Sequence, residues 1–387
     1  MSRLIFLLIS VMFLNAKELV ITKYLDYKPS IEVDFNGSKG AFKILKMDLQ
    51  ILDHFNYTIN KDTNASYKFK FKFSNSNRKL EVKYFNKNRL IKAIIYKSNS
   101  PYYFPFLVHK AVYDINEFFS LPSAKFLIRK VVYSLSTAPK QTNVYIADYS
   151  LSYKKLIISG GLNIFPKWAN KSQNEIFYTS LGREAVLYKL NLKTGKREKL
   201  LSSQGLLIVS DVKGDKLLVT LALNGSPDVY EFDLKTKKLT QITTYPGIDV
   251  NGKFWGDDKI VFVSDRYGIP MVFSKDLKTG AISRVVYHGK NQVGVDTYKN
   301  YLVLSSRESD KSFGNNTFNL FLVNKNDDSL KRLTFTGQNS FPNFSVDGNS
   351  IMFIKRENFY SKIGIIRLNE NKVFYYPLPK ILQSFDW

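Results

Sequence analysis

One short pattern recurs through the second two-thirds of this 387-residue chain and constrains its fold more than any other feature. Runs of β-branched and aromatic residues recur at spacings of 41 to 49 residues, beginning at Val131, Ile176, Leu217, Ile260, Leu302 and Ile351. A repeat of about 44 residues is typical of a four-stranded propeller blade. The repeat therefore predicts a β-propeller.

The other strands of each repeat follow in a fixed order. A run such as DVYEFDLKTKK at 228–238 contains its own turn, and a short run such as FPNF at 341–344 precedes the next repeat. From Arg129 to Trp387 the chain has room for six blades of about 43 residues. Because the repeats start on a second strand and end on SFDW at 384–387, we expect the C-terminal strand to complete blade one and close the ring.

The first third of the chain divides into a leader and a second domain. Residues 1–16 carry Arg3, then an apolar run from Leu4 to Leu14, and end on Ala16. This pattern is typical of a signal peptide cleaved after Ala16, with a buried strand or a membrane anchor as the alternative. We predict an α/β domain over 17–125 and the six-bladed propeller over 126–387. No later run reaches 18 apolar residues, so we expect an exported, periplasmic protein without a transmembrane segment in its mature chain.

The charge is strongly positive. Lys and Arg number 57 and Asp and Glu 33, a net charge of +24 that becomes +23 once the leader with Arg3 is removed. Such a balance favours an anionic partner or surface. A nucleic-acid partner is not expected, because the sequence shows neither a nucleic-acid-binding motif nor a row of aromatic residues that could stack on bases. The alternation in YKFKFKF at 67–73 predicts an amphipathic strand with one solvent-exposed face.

The sequence offers few residues for chemistry. It has no cysteine, which excludes disulfides and thiolate chemistry. Hydrolase and metal-loop motifs are absent, and the three histidines, His54, His109 and His288, lie far apart. We therefore predict no catalytic residue, no metal site and no cofactor.

Several repeats resemble a known exported family. FPKW at 165–168, KIVFVSDRYGIPMVFSKDLKTG at 259–280 and FPNFSVDG at 341–348 are similar to the repeat unit shared by several propeller families, including the TolB family. MDLQILDHFNY at 47–57 and HKAVYDINEFFSLPSAKFLIRKVVY at 109–133 resemble the N-terminal domain of the TolB family. The resemblance covers essentially the whole chain. Leu121-Pro122 replaces the family's Thr-Gly after the helix, which leaves the details of partner contact open.

The resemblance implies a non-enzymatic component of the Tol–Pal envelope system, acting in outer-membrane integrity and cell division. It implies two partners, a peptidoglycan-associated outer-membrane lipoprotein (Pal-like) and an inner-membrane Tol protein (TolA-like), and we expect a monomer. Two alternatives stay open: a propeller-type hydrolase or lyase, and a basic binder of anionic envelope glycans.

The resemblance and the helical pattern around residue 109 indicate three residues at the hinge between the domains. His109 is expected to pack there, Asp114 to accept an interdomain hydrogen bond, and Arg129 to lead into the first blade. A second set of candidates shares equivalent turns of four blades and is expected to form a basic rim that docks a partner: Arg183, Arg266, Arg307 and Arg356. The alternative is that each arginine pairs with its acidic neighbour, Glu184, Asp265, Glu308 or Glu357.

The segment exposed by leader cleavage is the third candidate. Its alternating residues, Lys17, Glu18, Leu19, Val20, Ile21 and Thr22, predict a strand. In the resembling family the mature N-terminus engages the inner-membrane partner, and an unpaired strand can add to the edge of another sheet. The alternative is a strand in the sheet of its own domain.

Overall fold

The computed structural model describes residues 27–308, 317–327, 329–357, 360–378 and 380–387. The predicted leader at 1–16 and the predicted docking segment Lys17–Thr22 lie outside the described residues.

The N-terminal domain is a five-stranded sheet with two helices. Its helices are α1 (Lys39–Leu52) and α2 (Phe104–Phe118), and its strands are β1 (Ser30–Asn36), β2 (Asn56–Ile59), β3 (Tyr67–Ser74), β4 (Lys79–Asn86) and β5 (Arg89–Lys97). The strand order is β2-β1-β3-β4-β5. The pairs β1–β2 and β1–β3 are parallel, whereas β3, β4 and β5 form an antiparallel meander.

Local sequence explains how this domain is laid out. Ser38 caps α1, since its hydroxyl accepts a hydrogen bond from the Ala41 amide, and Asp53 ends the helix in the left-handed conformation. The alternation predicted for YKFKFKF is confirmed in β3, where Phe69 and Phe71 are buried and Lys70 and Lys72 are exposed. The buried side of the sheet shares one hydrophobic core with the two helices.

The propeller follows a short 3-10 turn at Lys125–Ile128. Its first strands are β6 (Val131–Ala138), β7 (Gln141–Ala147) and β8 (Lys154–Ile158). Blade 2 contains β9 (Leu162–Trp168), β10 (Glu175–Leu181), β11 (Ala185–Asn191) and β12 (Arg197–Ser203). Blade 3 contains β13 (Leu207–Lys213), β14 (Lys216–Asn224), β15 (Ser226–Asp233) and β16 (Leu239–Gln241).

The second half of the propeller repeats this arrangement. Blade 4 contains β17 (Asp249–Trp255), β18 (Lys259–Ser264), β19 (Met271–Asp276) and β20 (Ile282–Arg284). Blade 5 contains β21 (Asn291–Tyr298), β22 (Tyr301–Arg307), β23 (Phe318–Asn324) and β24 (Ser329–Arg332). Blade 6 contains β25 (Gln338–Phe344), β26 (Ser350–Glu357), β27 (Tyr360–Arg367) and β28 (Lys372–Leu378). A single parallel pair, Phe318 with Gln338, links blades 5 and 6.

The last strand of the chain belongs with the first strands of the propeller. Strand β29 (Leu382–Asp386) pairs antiparallel with β6, with Ser384 opposite Ser134 and Phe385 opposite Tyr133. The sheet that we call blade 1 therefore has the order β29-β6-β7-β8. The two serine hydroxyls lie 3.0 Å apart and are buried.

The innermost strand of every blade is interrupted by a bulge at the same place. Strand pairing shifts within β9, β13, β17, β21, β25 and β29. Four bulges contain a residue in the left-handed region: Phe165, Asn251, Gly294 and Phe341, with φ between 51° and 61°. All six inner strands line a central cavity of about 80 Å³.

Among the residues that the structure describes, none of the helices combines the length and the apolar character needed to cross a membrane.

Candidate functional site

The propeller has two faces, which differ in what they contact. Successive strands of a blade run antiparallel, so the turns after the first and third strands lie on one face. We call it the proximal face, because Asp148, Asp347 and Glu370, all in such turns, contact the N-terminal domain. The turns between second and third strands and the links between blades form the opposite, distal face.

His109 joins the two domains on the proximal face. It lies in α2 and is fully buried, with Nδ1 2.8 Å from Oδ1 of Asp48 in α1 and Nε2 3.2 Å from Oδ2 of Asp148 after β7. The Tyr149 hydroxyl donates a 2.6 Å hydrogen bond to Asp48. Burial by itself would lower the pKa of His109, but the two carboxylates raise it to about 9. Burial also raises the pKa of Asp48. Because both ring nitrogens face carboxylate oxygens, which accept hydrogen bonds, the geometry favours a protonated imidazole that joins an acid of each domain.

His54 makes a second interdomain contact. Its Nδ1 lies 2.6 Å from Oδ1 of Asn116, and its Nε2 lies 2.6 Å from Oε1 of Glu370 in blade 6. Arg367 is also fully buried, and its guanidinium lies 3.0 Å from the same carboxylate and donates to the Ser350 hydroxyl. Sequence reasoning treated His54 as isolated, since its partner Glu370 is 316 residues away.

The interdomain hydrogen bond predicted for Asp114 is wrong, whereas Arg129 leads into the first strand of the propeller as expected. Asp114 makes its contacts inside the N-terminal domain, where it accepts a 2.8 Å hydrogen bond from the Tyr96 hydroxyl and pairs with Lys110 one turn earlier. Arg129 donates to the Lys171 carbonyl at 2.5 Å and lines one mouth of the central channel. Asp114 therefore contacts its own N-terminal domain, and Arg129 contacts the propeller.

The channel contains a ring of polar side chains just after the six bulges. Its members are Lys167, Asp211, Lys253, Asp296, Asn343 and Asp386. Within this ring Lys167 pairs with Asp386 and Lys253 with Asp296, each at 3.0 Å. The three aspartates also accept backbone amides of the next blade, those of Trp168, Phe254 and Phe344. The ring therefore ties neighbouring blades together. Among the described residues, no three metal-binding side chains converge on one point.

The distal face presents large apolar side chains to solvent. Tyr267, Tyr287 and Phe335 are 67%, 78% and 69% exposed. The same face carries further exposed aliphatic side chains: Leu206, Leu223, Ile248 and Ile269. Scattered exposed apolar residues are ordinary, but several on one face are typical of a protein interface.

Two of these rings are held in the same way in adjacent blades. The guanidinium of Arg284 lies 4.9 Å from the Tyr287 ring, and that of Arg332 lies 4.9 Å from the Phe335 ring. Each arginine also donates its Nε–H at 2.9 Å to the carbonyl two residues further on. Both aromatic rings are therefore exposed to solvent on links between blades, and the arginine contacts stabilise the conformation of these links. Sequence reasoning missed them, although the matching spacing of ISRVVY and LKRLTF could have shown them.

The four arginines predicted as a rim differ in their surroundings. Arg183 and Arg356 are exposed and form no ion pair within the described residues, whereas Arg307 is half-buried at the end of β22. The alternative of local pairing does not hold for the first two, because Glu184 pairs with Lys199 and Glu357 with Lys362.

Arg266 extends inward, which corrects its predicted place on the rim. Its Nη2 lies 3.0 Å from the fully buried Asp249, and its guanidinium stacks about 5 Å from three aromatic rings, those of Tyr245, Phe262 and Phe273. Because this charge is used to neutralise a buried carboxylate, Arg266 supports the distal face from within.

Comparisons with known proteins give a consistent result. Residues 124–371 match the family model described as the TolB beta propeller domain. A Tol-Pal system protein TolB from Campylobacter jejuni is 41% identical over 367 residues, covering 92% of this chain and 89% of the relative. The protein of that name from Helicobacter hepaticus is 37% identical over 414 residues, covering 99% of each chain.

A solved structure shares the fold over nearly the whole length. The crystal structure of TolB from Acinetobacter baumannii superposes with a TM-score of 0.78, covering 94% of this chain and 97% of that one. Its sequence is 20% identical, so the likeness concerns the fold.

Proposed function

This chain belongs to the TolB family, and from that membership we propose that it is a non-enzymatic periplasmic scaffold of the Tol–Pal envelope system. It docks a peptidoglycan-associated outer-membrane lipoprotein and an inner-membrane Tol partner. It acts as a monomer, and no cofactor takes part. The family relation supports the assignment to the Tol–Pal system. The surfaces described above support the proposed docking sites.

The proposed docking site for the lipoprotein is the distal face. It combines exposed aromatic rings with arginines, the residue types that dominate the binding energy of protein interfaces. Tyr287 and Phe335 supply large side chains already fixed by Arg284 and Arg332, so little conformational freedom is lost on binding. Arg183 and Arg356 add exposed positive charge on the same face, without an ion pair to any of the described residues. The lipoprotein therefore docks on the face that the N-terminal domain leaves open.

A binding experiment with purified proteins tests this proposal. Replacing Tyr287 and Phe335 together by serine is expected to weaken lipoprotein binding at least tenfold, about 1.4 kcal/mol. Tyr102, which is 77% exposed in the N-terminal domain, offers a matched control in Tyr102→Ser. Unchanged affinity of the folded double variant would contradict the assignment of the face. Binding that falls steeply with salt, to glycan fragments and not to the lipoprotein, would favour the glycan alternative.

The inner-membrane partner is proposed to bind the mature N-terminus, Lys17–Thr22. The alternation of Leu19 and Ile21 with polar residues suits addition to a sheet edge of that partner. Deleting this segment should abolish capture of the inner-membrane partner and leave lipoprotein binding intact. Loss of both activities, or a large fall in melting temperature, would show that the segment is part of the domain's own fold.

A further inference from the structure

The N-terminal domain has a sheet edge that the docking functions proposed above do not use. Strand β5 (Arg89–Lys97) is the last strand of its sheet, and among the described residues no strand pairs with its outer side. An unpaired strand of nine residues offers a row of backbone donors and acceptors to another extended chain.

The side chains of this edge are unusually apolar for an exposed strand. Leu90, Ile91 and Ile95 are 50%, 45% and 48% exposed. Edge strands are often protected by lysines that keep other strands away. Here the central lysine, Lys92, lies over aromatic rings on the helix side, with Nζ 4.4 Å from the Tyr84 centroid and 5.3 Å from that of Phe118. The stretch from Ile91 to Ile95 therefore keeps an accessible apolar surface.

The open face of the sheet next to this edge is positively charged. Residues opposite each other in antiparallel strands share a face, so Lys83 of β4 lies beside Lys70 and Ala93, and Lys79 lies beside Lys97. Glu81 occupies the position between Lys72 and Ile95. Six lysines and one glutamate thus share the face formed by β3, β4 and β5: Lys68, Lys70, Lys72, Lys79, Lys83, Lys97 and Glu81. Lys68 and Lys70 pair with carboxylates of β1, and Lys83 lies 3.9 Å from Glu81, so most of the free charge lies toward β5.

This charge pattern favours some binding partners of the β5 edge over others. Antiparallel pairing of two copies of β5 centred on Ala93 would place Arg89 opposite Lys97 at both ends, and like charges opposite each other are unfavourable. A strand with acidic side chains on the lysine face would instead gain an ion pair with Lys97 of β5 and would be attracted by Lys79 and Lys83 one strand further. A lipid surface could use the lysines but would leave the backbone groups of the edge without partners.

We infer that β5 is a docking site for an extended acidic segment of another protein, which adds as a sixth strand to the N-terminal sheet. Its backbone pairs with β5. Its acidic side chains lie on the face that Ile95 shares with Lys97, and they extend toward Lys97 and, one strand further, toward Lys79 and Lys83. The apolar side chains between them lie on the opposite face, beside Ile94. This site is separate from the distal face and from the mature N-terminus.

The test uses the whole mature chain and a defined probe. The probe is a labelled nine-residue peptide in which glutamate alternates with valine or threonine, and fluorescence anisotropy measures its binding. A peptide with lysine in place of glutamate tests the charge, and one with N-methylated alternate amides tests the backbone pairing. Both are expected to bind at least tenfold more weakly than the probe. Amide hydrogen exchange of β5 should slow when the probe binds.

Variants of the chain complete the test. Ile95→Asp is expected to weaken binding of the probe at least tenfold. Leu156→Asp is the matched control, because Leu156 is 47% exposed on the outer strand β8 of the propeller and follows Lys154 and Lys155. Equal binding of the N-methylated peptide would overturn strand addition. Binding to vesicles containing phosphatidylglycerol without binding of the peptide would overturn the protein partner. Since the Tyr287 and Phe335 double variant should bind the probe normally, failure here is distinguishable from failure of distal-face docking.

Discussion

Nε2 of His109 in the N-terminal domain lies 3.2 Å from Oδ2 of Asp148 in the propeller, and both side chains are fully buried. The interface between the N-terminal domain and the propeller thus contains a buried contact between His109 and a carboxylate. A buried cation between two carboxylates fixes the relative orientation of the domains, because any separation would expose or isolate a charge.

The stability of the protein should depend on pH through His109. The groups that face it are Asp48, Asp148 and Tyr149. Its folded-state pKa of about 9 lies above its ordinary value of 6.5, so its contribution is complete below about pH 6.5 and is lost as pH rises through about 9. The difference in unfolding free energy between the wild type and His109→Gln should therefore shrink from pH 6.5 to 9.5. Urea unfolding at several pH values measures this. A difference that stays constant would mean that His109 is not charged in the folded protein.

Removing Arg367 should be strongly destabilising. Arg367→Met leaves Glu370 buried beside His54 without its guanidinium partner, and breaking a buried ion pair costs about 3 to 5 kcal/mol. Arg356→Met, at an exposed position of the adjacent strand, should change stability by less than about 0.5 kcal/mol. Denaturant unfolding compares the two. Equal effects of the two substitutions would contradict the role assigned to Arg367.

The C-terminal strand should be essential for a stable propeller. The Trp387 ring is buried, and its Nε1 donates to the carbonyls of Asn343 and Phe344 in blade 6, while Ser384 pairs with blade 1. Trp387→Ala is expected to cost about 3 to 5 kcal/mol, and removal of residues 384–387 should also free a sheet edge and cause aggregation. Tyr102→Ala, at an exposed ring, is the control for thermal unfolding. A truncated protein that melts like the wild type would refute this closure of the ring.

The arginines of the distal face should separate into two classes. Arg266→Gln is expected to destabilise the fold by about 3 kcal/mol, since Asp249 would remain buried without its partner. Arg183→Glu combined with Arg356→Glu should leave the melting temperature unchanged and weaken lipoprotein binding about tenfold. Calorimetry and a binding titration on the same samples distinguish the classes. Loss of stability in the exposed pair, or wild-type binding by it, would contradict this division.

The sequence predicted features that depend on neighbours along the chain. The repeat from Val131 onward marks the second strands of the blades, and the alternation of Phe and Lys in β3 shows which side of the sheet is buried. Such patterns are visible because a strand places alternate side chains on opposite faces, whatever the strand packs against. Strand β29 was also predictable, since the count of repeats leaves one first strand missing.

The tertiary structure alone decided which partner each polar side chain has. His109 meets Asp48 from 61 residues earlier and Asp148 from 39 residues later, and His54 meets Glu370 316 residues away. Arg266 follows β18 and Arg356 lies near the end of β26, the equivalent strand of its blade, yet one contacts a buried carboxylate and the other reaches solvent. Local periodicity gives the face on which a residue lies, whereas pairing between buried charges depends on how two separately folded units pack. The physical reason is that the cost of burying a charge is offset only by groups brought close in space.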